Sequence, residues 1–267
     1  MTTNRQFSLA LKALAELKNE SSTPPAQPVP TVPALRAVLA EIGSLPLEAL
    51  FLGIASDGLP VLLNLYDPHP GPMLVAADPG AGKTIFLQTI AQSLALTHSA
   101  EDVQFGVITN YPDEWGSLEA TPHRSGVFPV GHKSTAEYLE SLASWAHSNK
   151  NTHQCALLLM DDLESVASLS PEAVQNFRWL LLRGPARRVW PIVTLNASRY
   201  GHVISWLQSL RTSLFGRVAN GRVADALSGT KTSGLDQLEA RIQFSLRERN
   251  PRSSPAENWL RFWLPSC

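Results

Sequence analysis

"LVAADPGAGKT", residues 74–84, runs four apolar or small residues into a glycine-broken turn, then sets a lysine and a threonine at the mouth of a further apolar run. An apolar strand before such a turn and an apolar helix after it are the context in which a glycine-rich loop cradles phosphate. Gly80 and Gly82 let backbone N–H groups turn inward, and the positive end of a helix starting near Lys83 adds to their pull on an anion. Pro79, Gly80, Ala81 and Gly82 are the expected cradle. Lys83 is placed to reach the β- and γ-phosphates of ATP and Thr84 to offer its hydroxyl to Mg2+. Ala77 stands where the strict pattern has glycine, and Asp78 brings a negative charge close to the phosphates.

Outward from this loop the apolar pattern alternates. Strands are expected over 73–77, 105–109, 156–161 and 190–196, with helices over 83–96, 134–146 and 171–182 between them. Such alternation implies an α/β fold, a mostly parallel central sheet flanked by helices, with ligands at the carboxyl ends of the strands. "LFLGIASDGLPVLLNLY" reads as a hairpin leading into this core. "IQFSLRERNPRSSPAENWLRFWLP" reads as a closing one. A strand ending in acid is the second part of a phosphate machine, and "CALLLMDDLESV" supplies Asp161 as the holder of Mg2+ and Asp162 as the base that orients the attacking water. The alternative for this pair is a capping role at the next helix.

The chain has 267 residues, 44% of them hydrophobic, enough for one large α/β domain with short appendages. Its two cysteines, Cys155 and Cys267, indicate neither a disulfide framework nor a metal cluster. No stretch reaches the roughly 18 uninterrupted apolar residues of a spanning helix, so a cytoplasmic protein is expected. The net charge of −1 hides an asymmetry, for 14 of the 22 Lys and Arg but only 5 of the 23 acids lie from Val174 onward. That pattern fits a surface facing a polyanion, subunits packing basic face to acidic face, or scattered solvated arginines. Arg183, Arg187 and Arg188 could touch DNA phosphates or form a solvated turn. His123 and His132 lack ligand spacing, and Trp190, Trp206, Trp259 and Trp263 sit in apolar runs that suit core packing. At the N-terminus the expected division is a helix over 1–20, a proline-rich linker over 21–33 and the main domain over 34–267. The helix could dock a partner subunit or pack on its own domain.

The segment from Leu50 to Phe105 resembles the start of the motor domain of the FtsK/SpoIIIE family, within the HerA-FtsK group of P-loop ATPases. "ITNYPDEWGSLEATPH" keeps the spacing of that family's "IDPK…PH" segment, with Glu114, Pro122 and His123 retained. "WPIVTLN" is similar to its "HLVLATQ" strand. The similarity continues through "SLRTSLFGRVANGRVADALSG", where Arg217 matches the motif arginine, and covers about residues 48–267. The resemblance implies a RecA-like P-loop NTPase fold, ATP and Mg2+ as cofactors, a homo-oligomer such as a hexameric ring, and movement along double-stranded DNA. It also implies that Arg217 acts on a neighbouring subunit's nucleotide. Departures are Thr109 and Tyr111 for the family's Asp and Lys, Asn196 for its strand-end glutamine, and Asp162 for its glutamate. Shortening Glu to Asp withdraws the carboxylate by about 1.5 Å, and a misplacement near 1 Å can cost on the order of a hundredfold in rate. A weakly hydrolysing or inactive assembly module is therefore one alternative; a secretion-type ATPase acting on protein is another, since secretion ATPases are similar to this family too.

Overall fold

Strands buried on both faces read as unbroken apolar runs, and the central strands of this chain do so because helices cover them from either side. The computed structural model describes residues 32–149, 152–231, 233–247 and 259–266; the expected helix over 1–20 and most of the linker over 21–33 lie outside them. A first helix, α1 (Leu35–Ile42), buries Leu35, Val38 and Leu39 against Phe51 and Ile54 of β1 (Ala49–Ala55). The chain turns at Asp57 and Gly58 into β2 (Pro60–Asn64), the Asp57 carboxylate accepting a bond from the Leu59 amide at 3.0 Å.

There follow β3 (Met73–Ala77), α2 (Lys83–Thr97), β4 (Val103–Thr109), β5 (Arg124–Pro129), α3 (Lys133–Ser148), β6 (Cys155–Met160), α4 (Pro171–Arg183) and β7 (Val189–Asn196). The chain then forms α5 (Ile204–Leu207), β8 (Thr212–Phe215), α6 (Gly221–Ser228), β9 (Gln243–Arg247) and β10 (Trp259–Trp263). Among the described residues ten strands join one sheet in the order β2-β1-β10-β9-β8-β3-β7-β6-β4-β5. The six from β8 to β5 are parallel, and the remaining four are antiparallel.

Within the described residues, the helices expected over 83–96, 134–146 and 171–182 and the four expected parallel strands are present within a residue or two. Two features differ. The leading and closing hairpins are neighbours, for Ile54 pairs with Trp263 and Ala55 with Phe262, so together they extend one edge of the parallel sheet. β1 bulges beside this contact, where a side chain on Gly53 would strike the Phe262 ring. β5, absent from the sequence reading, is an edge strand of mostly half-buried residues with a glycine inside and a proline at its end.

Side chains of β6 alternate between two cores. Leu157 and Leu159 pack with Phe86, Leu87 and Ile90 of α2, whereas Leu158 and Met160 pack with Leu139 of α3 and Phe177 of α4. Trp190 is fully buried in the first core, as its apolar run suggests, and its indole N–H donates to the Leu65 carbonyl at 3.0 Å. Among the described residues no helix is long and apolar enough to cross a membrane. Trp190→Phe removes volume and strands that carbonyl, so it is expected to lower stability by about 2 kcal/mol, read from the midpoint of urea unfolding.

Candidate functional site

The site is built where β3, β7 and β6 end side by side, β7 lying between the other two. Beyond β3 the chain needs left-handed backbone at Gly80 (φ 72°) and at Gly82 (φ 98°), the residue that caps α2. Glycine takes these conformations without steric penalty, and so bends the loop over the helix start. Lys83 is 9% exposed; its ammonium donates to the carbonyls of Asp78 at 3.1 Å and Ala77 at 3.4 Å. These are neutral acceptors that an anionic ligand could replace.

Asp161 follows β6 and is buried. One carboxylate oxygen accepts from the Thr84 hydroxyl at 2.9 Å, the other from the Thr194 hydroxyl at 2.8 Å. Among the described residues no ion pair reaches Asp161. A buried carboxylate held only by two hydroxyls fits a position beside a divalent cation, and Mg2+ in phosphate sites needs only one or two protein ligands besides the substrate. Thr84 and Asp161 could hold it. No cluster of three or more His, Cys, Asp or Glu offers another metal site among the described residues.

Asp162 has φ 75°, unusual outside glycine. It precedes a 3-10 helix over Leu163–Ser168, yet its side chain makes no capping bond, unlike the capping alternative drawn from the sequence. Its main-chain N–H donates to Thr194 Oγ1 at 2.7 Å. Burial, then the neighbouring Asp161 and Glu164 carboxylates, push the Asp162 carboxyl up to about 6, while Lys83 pulls it down. Glu114, on the 3-10 helix over Pro112–Leu118, also raises it.

Asn196 and Arg217 make contacts outside the acidic pair. The Asn196 side-chain oxygen accepts from the amide and hydroxyl of Ser198, capping the turn after β7, so the link from β7 to the acidic pair comes from Thr194. Thr194 was missed because a threonine within an apolar strand carries no motif. The Arg217 carbonyl accepts from the Asp78 amide at 2.9 Å, and its side chain is exposed. The Asp78 carboxylate accepts from the Ala219 amide at 2.7 Å, so that charge holds the segment after β8 onto the loop. A second strap comes from Arg241, whose amide donates to the Ala81 carbonyl at 3.0 Å. Arg188 stands at the amino end of β7, opposite the phosphate loop, with its guanidinium 3.9 Å from the Tyr66 ring centre. His123 donates to or accepts from no site residue; its ring meets the His98 carbonyl.

The FtsK/SpoIIIE family model matches residues 49–168, a span that includes the phosphate loop, Asp161 and Asp162. The fold is that of the RecA-like P-loop ATPases. Thermomonospora curvata EccC (ATPases 2 and 3), in complex with a signal sequence peptide, superposes with a TM-score of 0.68 at 15% identity, over 91% of this chain and 45% of that one. EssC (ATPases 2 and 3) from Geobacillus thermodenitrificans gives 0.65 at 12% identity, over 89% and 47%. The pCW3 conjugation coupling protein TcpA, in a monomer form with ATPγS, gives 0.64 at 10%, over 82% and 66%. The chain thus spans less than half of these EccC and EssC chains. No protein of curated function matches the sequence.

Because Asp162 holds its proton more tightly folded than unfolded, its contribution to stability is present at low pH and lost as pH rises from about 4 through about 6. Asp162→Asn removes that dependence. In nucleotide-free protein with chelator, its advantage over the parent should shrink by roughly 1 kcal/mol from pH 8 to pH 5, a figure that already discounts the partial exposure of the group. Thermal unfolding at the two pH values measures it.

Proposed function

We propose that this chain binds Mg2+·ATP at the loop over 79–84 and hydrolyses it slowly, as one subunit of a ring-forming motor that moves along double-stranded DNA. The observation that carries the nucleotide reading is the 2.9 Å bond from Thr84 Oγ1 to Asp161 Oδ2, which joins the helix start to the strand end. Lys83 exchanges its two carbonyl acceptors for phosphate oxygens. Mg2+, when bound, neutralises charge on the β- and γ-phosphates. Asp162 orients the attacking water, and the exposed Arg217 reaches a neighbouring subunit's nucleotide.

DNA as cargo is supported by the basic balance after Val174 and by the likeness to a conjugation coupling protein. Protein as cargo draws on the likeness to EccC. A second reading, an assembly module controlled by ATP occupancy, is favoured by Asp162, whose carboxylate is shorter than the family's and held in left-handed backbone.

Lys83→Ala is expected to weaken ATP binding by at least about a hundredfold in calorimetry, since it removes a charged contact to phosphate. An equal titration from parent and variant would remove the nucleotide site. Turnover should rise several-fold with double-stranded DNA; slow hydrolysis indifferent to DNA would overturn the translocase reading and leave protein cargo or assembly. Asp162→Glu restores the carboxylate reach and is expected to raise turnover by about tenfold or more. An unchanged rate would mean that the shortened side chain is not what limits hydrolysis.

A further inference from the structure

The segment leading into β9 lies directly on the phosphate loop. Besides the main-chain bond from Arg241 to Ala81, the two backbones touch: a Cβ on Gly82 would sit 2.6 Å from the Arg241 Cα. At this contact Arg241 takes φ 71°, one of three non-glycine residues with positive φ among those described. Glycine would adopt that conformation freely and donate the same bond, because the donor is the main chain. What glycine cannot provide is a guanidinium at the loop.

That guanidinium is not committed to any strong partner. The Arg241 side chain is exposed, and its Nε donates to the Gly80 carbonyl over 3.4 Å, at the long limit for a hydrogen bond. No described carboxylate forms an ion pair with it. It therefore adds to Lys83 a second cation on the loop, one carried by the same chain and reaching it from the opposite end of the domain's sequence. Guanidinium groups pair with phosphate through two parallel N–H bonds, so an anion in the loop would outcompete a single neutral carbonyl at that distance.

We propose that Arg241 is a same-chain contact for the phosphate chain of the nucleotide held by the loop over 79–84. On binding, its side chain leaves the Gly80 carbonyl for a phosphate oxygen, while its main-chain bond to Ala81 stays in place. The proposal rests on the nucleotide reading above and adds a residue that no phosphate-loop pattern contains.

Two substitutions separate this from a purely structural role. Arg241→Gly relieves the backbone and keeps the strap. Arg241→Gln keeps a long polar side chain without charge. Calorimetry with ATP, ADP and pyrophosphate on the full chain should show each variant binding all three about tenfold more weakly, with the thermal midpoint of Arg241→Gly equal to or above the parent's. If either folded variant binds ATP as tightly as the parent, the side chain has no part in binding and the proposal fails. If ATP weakens but pyrophosphate does not, the guanidinium serves the sugar or base and the phosphate assignment is overturned. A parent chain that itself binds no ATP would instead defeat the nucleotide reading, and this proposal with it.

Discussion

One buried carboxylate organises the working end of the sheet. Asp161 accepts a hydroxyl from the first turn of α2 and another from β7, and so ties together the ends of β3, β7 and β6. The arrangement needs β7 inserted between β3 and β6, since only that strand order puts Thr194 within reach of the acid from one side while Thr84 approaches from the other. The register agrees, with Thr194 paired to Val75 of β3 and its neighbour Val193 paired to Met160 of β6. Because Thr194 Oγ1 both donates to Asp161 and accepts from the Asp162 amide, a shift of β7 moves the two acids together. Satisfied polar chains of this kind in an apolar setting hold their members stiffly.

The phosphate loop, by contrast, is completed from outside its own strand and helix. Asp78 is bonded at its amide to the Arg217 carbonyl and at its carboxylate to the Ala219 amide, and Ala81 receives the Arg241 amide. All three partners lie beyond residue 168, where the family match ends. The negative charge of Asp78, an awkward neighbour for phosphate when seen in sequence, is turned onto a backbone N–H and serves to seat the segment after β8. The loop's shape thus depends on β8 and β9 being in place as well as on its glycines.

What was legible beforehand follows from how local each signal is. The glycines and lysine of residues 80–83, the acids ending "CALLLMDD" and the alternation of strands with helices all declare themselves within a dozen residues, and the structure carries each of them. β5 does not, because an edge strand with a glycine inside it and a proline at its end lacks an apolar run. Nor do the contacts of Thr194 and Arg241, which join residues 33 and 160 positions apart and use side chains with no fixed motif. The two hairpins could be read singly, but their pairing depends on Gly53 admitting the Phe262 ring, a contact across the whole domain. The capping role that Asn196 takes is local, two residues from the Ser198 it holds.

The Ser266 carbonyl accepts the Leu35 amide at 2.8 Å, and the Pro33 carbonyl accepts the Ser266 amide at 2.9 Å. The first and last described segments therefore meet at one spot, against Gln92, Ala95 and Leu96 of α2. Two segments that lie more than 230 residues apart in the chain thus close on each other through main-chain bonds alone. Pulling Leu35 and Ser266 apart would load this pair of bonds first, beside the carboxyl-terminal half of the helix whose other end begins at Lys83.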